Sequence, residues 1–210
     1  MSARHVSFKI RIEFLTPCFL GGAEPASDGE FRLASLKGLL RYWWRQFQDQ
    51  SDSSSMFRKE SKIFGSRENR SGFSLYELDR SKLCFDRSGN GYKPTNSGES
   101  YLFFSCVPRH NQPGRKNWIK EGSVVTFAIS FASVEDEQVK ETLLSLWLLQ
   151  TFGGLGSRSR RGAGSFQVEV EVQDAPAGIN TWVQELFNSQ ATDLIKVIND
   201  CTGDKDERFQ

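Results

Sequence analysis

The chain lacks the sequence features of a membrane or secreted protein. No stretch approaches the roughly eighteen uninterrupted apolar residues that a membrane-spanning helix needs. The N-terminal sequence, MSARHVSFKIRIEF, has neither the apolar run nor the small-residue cleavage site of a signal peptide. We therefore expect a cytoplasmic protein without a membrane partner.

Residues that form disulfide bridges or bind zinc are also scarce and scattered. There are four cysteines, and they form no CxxC pair: Cys18, Cys84, Cys106 and Cys201. Zinc sites and disulfide scaffolds usually show tighter spacing, so we predict buried free thiols in a reducing compartment. No other motif indicates a metal or a cofactor, and we predict neither.

The net charge of +1 conceals an uneven distribution of charge along the chain. Residues 169–210 contain nine acids and three bases, whereas residues 1–168 contain 24 bases and 17 acids. Two windows contain no acid at all, Phe31–Gln48 and Thr142–Val168. A surface of one sign attracts polyanions whatever the net charge, so these windows are candidates for binding nucleic acid.

Hydrophobic periodicity predicts an alternation of strands and helices. Apolar and polar residues alternate over residues 6–14, which is typical of a half-buried strand. Further strands are predicted at 73–78, 123–131 and 165–172, and helices at 36–48, 56–64, 135–152 and 181–199. The second half of the third helix is apolar on nearly every side, which predicts burial on more than one side.

This order of elements predicts an α+β fold of the ferredoxin-like (RRM-related) class, in which split βαβ units form an antiparallel sheet with two helices on one face. We predict that residues 1–172 form this domain, with an irregular insertion at about 67–122. The Gly- and Pro-rich part of the insertion, 80–122, contains strand-like runs at KLCF (82–85) and SYLFFSCV (100–107). Residues 173–210 are predicted to form a C-terminal helical segment and a polar tail.

The stretch SLKGLLRYWWRQF, residues 35–47, is predicted to be an amphipathic helix with Ser35 as its N-cap. At 100° per residue, one arc holds the expected core residues Leu36, Leu39, Leu40, Trp43 and Phe47.

The other side of this helix is predicted to bind RNA. Lys37, Arg41 and Arg45 follow one another at i, i+4 and i+8. Gly38 lies beside them and would let a sugar-phosphate backbone approach closely, and Trp44, at the boundary of the two faces, could stack on a base. The alternative is a solvated cationic face with a tryptophan at its edge.

A second unusual stretch, GGLGSRSRRGAGSF (residues 153–166), combines five glycines and three arginines. Glycine allows close backbone approach, exposed amides bind anions, and arginine makes bidentate phosphate contacts. A P-loop would enter a helix through Gly-Lys-Ser/Thr, whereas this loop enters a strand, so nucleotide hydrolysis is disfavoured. The alternative is a surface turn whose arginines keep it solvated.

Together these segments resemble a known family. IEFLTPCFLGG, the SLKGLLRYWWR helix, IFGS at 63–66 and the late GGLGSRSRRGAGSF are similar in order and spacing to the RAMP superfamily of CRISPR effector proteins, most of all to the subunit numbered first in the Cmr (type III-B) complex. The resemblance covers positions 12–66 and 147–166. Members are commonly longer, with two ferredoxin-like units, whereas one is predicted here.

The resemblance implies a non-catalytic subunit that binds guide RNA toward its 3′ end within a multi-subunit, RNA-guided antiviral complex. Its implied partners are the guide RNA and the other Cmr subunits, with target RNA as a further candidate. On the helix it indicates Lys37, Arg41, Trp44 and Arg45, to which the residue pattern adds Gly38. On the loop it indicates Gly154, Gly156, Arg158, Arg160, Arg161, Gly162 and Gly164.

Two other functions stay open. Some RAMP relatives process guide RNA by acid–base cleavage, for which the chain offers His5 and His110. Neither lies in the resembling motifs, and the consecutive acids Glu135, Asp136 and Glu137 would spread around a helix rather than converge on a metal. A structural assembly subunit without RNA contact would explain the acidic C-terminal segment but not the two basic windows.

Overall fold

The computed structural model describes residues 5–24, 28–48, 51–87, 91–110, 114–132 and 135–188. Its strands are β1 (His5–Phe14), β2 (Phe73–Asp79), β3 (Phe85–Asp86), β4 (Trp118–Ile119), β5 (Val124–Ala132) and β6 (Phe166–Asp174). Its helices are α1 (Leu33–Gln46), α2 (Ser53–Phe64), α3 (Ser97–Leu102), α4 (Asp136–Phe152) and α5 (Ala177–Asn188). The predicted C-terminal helix thus begins four residues earlier, and its part beyond residue 188 lies outside the described residues.

Four strands form an antiparallel sheet in the order β2-β5-β1-β6. β1 pairs with β5 from His5 opposite Ala132 to Glu13 opposite Val124, and it pairs with β6 on its other side. The chain leaves β1 through α1 and α2 and returns to β2, beyond β5. It leaves β5 through α4 and returns to β6, beyond β1. The predicted α+β class with an antiparallel sheet and helices is therefore confirmed.

Alternation of side chains along β1 separates a core face from a polar face. Phe8, Ile10 and Ile12 are fully buried in one cluster with residues of α1 and α4. Between them, Lys9 forms an ion pair with Glu171 on β6 at 2.9 Å. Apolar and polar residues thus alternate along β1 because only one face of the sheet packs against the core, while the other face is polar.

α4 is the central helix of the core, and every residue from Glu141 to Leu149 is buried. One side packs on the sheet, while Leu144, Trp147 and Leu148 form a second cluster with Leu186 of α5. The predicted burial on several sides is confirmed. α4 starts with a capping box between Glu135 and Gln138, which satisfies amides that the first turn leaves free.

The start of α1 differs from the prediction that Ser35 is the N-cap. The helix begins at Leu33, two residues before Ser35, and the cap position is Arg32, whose side chain makes no capping hydrogen bond. Ser35 is therefore inside the first turn. The sequence rule failed because it searches for a capping side chain, and this helix begins without one.

The segment between β2 and β5 packs as a small satellite of the main core. β3 and β4 pair at its base, and its interior joins Tyr92, Phe103 and Cys106 to Phe19 and Ala163 of the main domain. Since β2 belongs to the main sheet, the satellite comprises residues 80–122 rather than the whole of 67–122.

The prediction of a strand-like run at SYLFFSCV (100–107) is wrong, because residues 97–102 form the helix α3. The side chain of Asn96 accepts a hydrogen bond from the Glu99 amide at 2.8 Å, and this cap starts a helical turn despite the strand propensity of the aromatic residues.

Within the described residues all cysteines are free, as predicted. Cys18 and Cys106 are buried, and burial raises the pKa of both thiols. Cys84 is exposed, which corrects the prediction of burial for that residue, and Cys201 lies outside the described residues. No helix in the described part of the chain is long and apolar enough to cross a membrane.

Candidate nucleic-acid interface

Two of the three cations on α1 share a buried partner. The carboxylate of Glu60, on α2 and only 2% exposed, lies 2.5 Å from Nε of Arg41 and accepts hydrogen bonds from Nε and Nη2 of Arg45 at 3.0 and 2.6 Å. Nη2 of Arg41 also donates to the Gly65 carbonyl at 2.6 Å. Part of the positive charge that the sequence places on this face is thus neutralised within the chain.

The third cation of α1, Lys37, also contacts other residues of the protein. Its Nζ donates to Oγ of Ser71 at 2.6 Å and lies 4.5 Å from the centre of the Phe73 ring. Burial, followed by the nearby charge of Arg41, lowers the pKa of Lys37. Lys37, Arg41 and Arg45 therefore connect α1 to α2 and β2. The side chains of Arg41 and Arg45 stay 36% and 48% exposed, so their binding of RNA remains a prediction.

The prediction that Trp44 stacks on a base is wrong. Trp44 is fully buried, contacts Phe47 and Phe64, and donates from Nε1 to the carboxylate of Glu141 at 2.7 Å. Burial raises the pKa of Glu141, an effect that the Trp44 hydrogen bond opposes. Trp44 lies at the predicted boundary between faces, but α2 and α4 cover that boundary and extend the core over it.

The exposed aromatic residues of α1 are instead Tyr42 and, in part, Trp43. The ring of Trp43 lies 5.7 Å from Tyr42 and 6.5 Å from Phe152 at the end of α4. Tyr42 and Phe152 are about half exposed, at 49% and 50%. The open face of α1 therefore presents aromatic side chains beside the partly exposed Arg41 and Arg45. The prediction that Trp43 belongs to the core is confirmed in part, because Trp43 packs against both core clusters but is only partly buried.

Gly38 is exposed on α1, and a Cβ there would meet nothing within 4 Å. No packing within the described residues therefore requires a glycine. We expect Gly38→Ala to stabilise the isolated chain by about 1 kcal/mol, the usual difference between alanine and glycine inside a helix. Thermal unfolding should show a midpoint higher by roughly 2–4 °C. Weaker RNA binding by the same variant would indicate that a ligand approaches the helix at Gly38; unchanged binding would remove this residue from the interface.

The glycine-rich loop is an ordered element of the main domain. It lies between the segment after β1 and the 80–122 satellite. Ser157 forms a bridge with Phe19, the Gly164 amide donates to the Pro17 carbonyl at 2.9 Å, and Ala163 is fully buried. Residues 159–161 form a short 3₁₀ turn.

At three of its predicted RNA-binding glycines, an added side chain would meet other atoms of the chain at close range. A Cβ would lie 1.9 Å from the Leu155 carbonyl oxygen at Gly164, 2.6 Å from the Phe19 carbonyl oxygen at Gly156, and 3.0 Å from Cβ of Ser159 at Gly154. Gly162 differs, because its φ of 82° favours glycine while nothing lies within 4 Å of a Cβ. An RNA contact by any of the four remains a prediction.

Replacing Gly164 tests this structural role. Gly164→Ala must shift the Leu155 backbone and holds a φ of 65° that alanine disfavours, so we expect a loss of about 2–3 kcal/mol in the free energy of unfolding. Chemical denaturation measures the loss, and Gly162→Ala, which meets the φ penalty alone, should lose about 1 kcal/mol. Equal losses in the two variants would contradict the packing role of Gly164.

The arginines of the loop meet further arginines from the satellite. Arg158 lies over the half-exposed ring of Phe104 at 4.0 Å and donates from Nε to Ser105 at 2.8 Å. Arg109 lies over the same ring at 4.6 Å. Arg115 donates from Nη2 to Ser157 at 3.2 Å, and its Nη1 is buried without a hydrogen-bond partner in the described residues.

Arg160 and Arg161 point outward from the 3₁₀ turn. Both are exposed, and across the described residues neither side chain has a hydrogen-bond, ion-pair or ring partner. We call Arg109, Arg115, Arg158, Arg160 and Arg161 the arginine surface. None of them pairs with a carboxylate in the described ranges, unlike Arg41 and Arg45 on α1. A concentration of unneutralised guanidinium groups beside an exposed aromatic ring suits an anionic polymer.

Sequence reasoning placed Arg158, Arg160 and Arg161 in the site but not Phe104, Arg109 or Arg115. The three missed residues stand some fifty positions away, in a segment without clear periodicity. Their grouping around PRHNQPGRK, with no acid between Phe103 and Lys120, was the one signal that could have found them.

The open face of the sheet offers a contrasting surface. Lys9 pairs with Glu171, and Arg11 pairs with Glu169 at 3.1 Å and with Glu13 at 2.8 Å. These exposed pairs add little stability but cancel the charge of the face. An anionic ligand would meet carboxylates here, so the face is less suited to RNA than the arginine surface.

The two histidines occupy unrelated settings. His5 starts β1, where Nε2 lies 2.8 Å from Oγ of Ser130 and Nδ1 lies 3.9 Å from Asp174. His110 is exposed in the satellite, next to Arg109.

Comparison with known proteins gives the family. The sequence model of the RAMP superfamily matches residues 11–167. The chain is 32% identical over 181 residues to CRISPR system Cmr subunit Cmr1-2 of Pyrococcus furiosus, an alignment that covers 76% of this chain and 93% of that protein. It is 28% identical over 201 residues to Cmr subunit Cmr1-1 of the same organism, covering 93% of this chain and 57% of that one.

Solved structures show the same fold at lower identity. The crystal structure of Cmr1 from Pyrococcus furiosus (apo form) matches with a TM-score of 0.57 and 21% identity, over 94% of this chain and 59% of that one. A chain of the cryo-EM structure of the Type III-B Cmr-beta bound to cognate target RNA matches with a TM-score of 0.60 and 14% identity, over 94% and 62%. The chain therefore spans little more than half of these longer relatives and nearly all of Cmr1-2. On the family match and the Cmr1-2 alignment together, the chain belongs to the RAMP superfamily and is a homologue of the Cmr1 subunits of CRISPR systems.

Proposed function

We propose that the chain is a non-catalytic RNA-binding subunit of a type III-B CRISPR effector complex. The observation that carries the proposal is the arginine surface, where five guanidinium groups have no carboxylate partner in the described ranges and two of them, those of Arg109 and Arg158, lie over the exposed ring of Phe104. Such a surface binds phosphates without reading sequence, as a subunit that accepts any guide must do. In the proposal the RNA is the guide, contacted toward its 3′ end.

The partners follow from the relatives. Cmr1-2 and Cmr1-1 are subunits of a CRISPR system, and a structural neighbour comes from a Cmr assembly bound to cognate target RNA. We propose that this chain likewise assembles with other Cmr subunits in the cytoplasm, with target RNA as a further partner.

The sheet order supports a ferredoxin-like assignment. α1 and α4 each connect two strands that flank a third, and all neighbouring strands are antiparallel. Two interleaved βαβ units with these properties define that fold class. We propose on this ground that the domain is ferredoxin-like, with 80–122 as its insertion.

The absence of catalysis is part of the proposal. His5 is held between Ser130 and Asp174 on the edge of the salt-bridged sheet face, away from the loop motif, so His110 is the only histidine beside the arginine surface. A general acid–base reaction on RNA needs two groups of complementary protonation at the scissile bond. We therefore propose that His110 takes no part in cleavage.

The test is a fluorescence-anisotropy titration of the full chain with a short single-stranded RNA at several salt concentrations. We expect binding whose logarithm falls linearly with the logarithm of salt concentration, since bound phosphates release counterions. Duplex DNA of matched length is the control, and a denaturing gel reports cleavage. RNA cleavage products that form with the wild-type chain but not with His110→Ala would contradict the proposal and indicate an endoribonuclease. RNA binding absent at every salt concentration would leave an assembly subunit without RNA contact.

A further inference from the structure

Phe104 is an aromatic residue of the satellite that stays outside the satellite core. Its neighbour Phe103 is buried, with its ring centre 5.6 Å from that of Phe19, and Cys106 is buried in the same cluster. Phe104 lies between these two buried residues, yet 41% of its surface is exposed. The contacts that distinguish Phe104 are with cations.

Two guanidinium groups lie over the ring of Phe104. Cζ of Arg158 is 4.0 Å from the ring centre and Cζ of Arg109 is 4.6 Å from it, both within the range of a cation–π interaction. Two cations held this close to one ring repel each other, and no carboxylate in the described ranges pairs with either. The electron-rich ring therefore offsets part of the repulsion between them.

The backbone holds one of these cations in a strained conformation. Arg158 has a φ of 65°, and it is the only residue other than glycine with a positive φ in the part of the chain that the structure describes. Glycine would adopt this conformation without strain, whereas a residue with a Cβ is disfavoured there. The Arg161 and Ala163 amides donate to the Arg158 carbonyl at 2.8 and 3.3 Å and fix the turn. Backbone strain of this kind is typical of ligand-binding positions.

Most of the hydrogen-bond donors of the two arginines are free. Arg158 donates from Nε to Oγ of Ser105 at 2.8 Å, and its terminal nitrogens have no partner among the described residues. The guanidinium group of Arg109 makes no hydrogen bond to them either. Each guanidinium group carries five N–H donors in a geometry that matches phosphate oxygens. Two neighbouring groups with free donors therefore suit one phosphate bound by both.

We propose that Phe104 is a positioning residue of the arginine surface: its ring holds Arg109 and Arg158 together so that both bind one phosphate of the RNA strand. The inference rests on the proposed function, because it assigns one phosphate site within that RNA-binding surface. An acidic segment of a partner protein would supply the same charge. RNA is favoured because Arg160 and Arg161 follow on the same turn, exposed and without partners in the described ranges, so the positive charge continues as a repeating phosphate backbone requires.

The role of the ring is tested by fluorescence-anisotropy titration of the full chain with a short uridine homopolymer RNA. Phe104→Leu keeps an apolar side chain but removes the π face, and we expect about fivefold weaker binding with a nearly unchanged slope against salt concentration. Phe104→Tyr keeps the ring and should bind like the wild type. Tyr101→Leu is the matched control, because Tyr101 is 71% exposed in the same satellite and has no cation over its ring in the described ranges. This control should keep wild-type affinity, and all three variants should keep the wild-type melting temperature.

Removing both cations tests whether they share a phosphate. Arg109→Ala/Arg158→Ala should lower the slope of binding against salt concentration by about 0.7, the value for one phosphate of a single strand. A decrease of about 1.4 would place the two arginines on separate phosphates and overturn the shared site. Phe104→Leu should have no further effect in this double variant, because the ring acts only through the two arginines.

Wild-type binding that Phe104→Leu leaves unchanged would overturn the positioning role and leave the RNA-binding function intact. A fivefold loss that persists without the two arginines would also overturn it, since the ring would then contact RNA directly. Poly-glutamate that displaces the RNA as well as unlabelled RNA of equal charge would assign the arginine pair to an acidic protein partner instead. Absence of RNA binding by the wild-type chain would overturn both proposals.

Discussion

Replacing Arg160 and Arg161 together by alanine should weaken RNA binding by about tenfold to a hundredfold, because each exposed guanidinium that binds a phosphate contributes a charge-assisted hydrogen bond and releases a counterion. The slope of binding against salt concentration should fall by about 1.4, or roughly 0.7 for each phosphate of a single strand that an arginine no longer neutralises. The melting temperature should not change, since neither side chain has a partner in the described part of the chain.

The matched control removes two charges from a different surface. Arg58 and Lys59 are exposed on α2, so Arg58→Ala/Lys59→Ala lowers the net charge equally. This control variant should bind RNA slightly more weakly, because the overall electrostatic attraction of the protein falls. The slope of binding against salt concentration should stay nearly unchanged. The same decrease of slope in both double variants would mean that RNA responds to net charge alone, and the arginine surface would lose its assignment.

The second large effect concerns stability. The side chain of Glu60 is only 2% exposed, and Arg41→Ala/Arg45→Ala removes both guanidinium groups that contact its carboxylate. A buried charge deprived of its partners costs about 3–5 kcal/mol, and here that cost should lower the melting temperature by roughly 10 °C. Chemical and thermal denaturation both measure it.

A third substitution separates this cause from the loss of arginine packing. Glu60→Gln added to the double variant replaces the carboxylate by a neutral amide of the same shape, and it should restore much of the stability that the double variant lacks. Failure to restore it would show that the arginine stems, not the ion pairs, hold α1 and α2 together. If the cations served RNA alone, the double variant would keep its melting temperature and show a smaller salt slope instead.

Local sequence was sufficient for most of the elements because their signals are periodic. β1, β5 and β6 show the alternation of a sheet with one packed face, and α4 shows a long apolar run with acids in its first turn. Each signal lies within one element and depends on a few neighbouring residues. α3 shows the converse: an aromatic run favoured a strand, but a single capping asparagine started a helix.

The site was harder to predict because its residues acquire their roles from distant partners. Arg41 and Arg45 were expected on an open cationic face, but α2 places Glu60 in contact with both. Trp44 was expected at the boundary between the two faces of α1, but α2 and α4 cover it completely. Trp43 was expected in the core and is only partly buried. A helical projection describes which residues share a face, but it contains no information on which faces other elements cover.

The amino-acid sequence alone was enough for most of the strands and helices, the α+β class, the two acid-free windows and the RAMP resemblance. Each of these is encoded in consecutive residues by periodicity, composition or motif spacing. Packing in three dimensions decided which cations are neutralised, which glycines leave room for neighbouring backbone atoms, and which residues of the satellite contact the glycine-rich loop. These outcomes depend on contacts between residues tens of positions apart, whose formation follows from burial of the whole core rather than from any local segment.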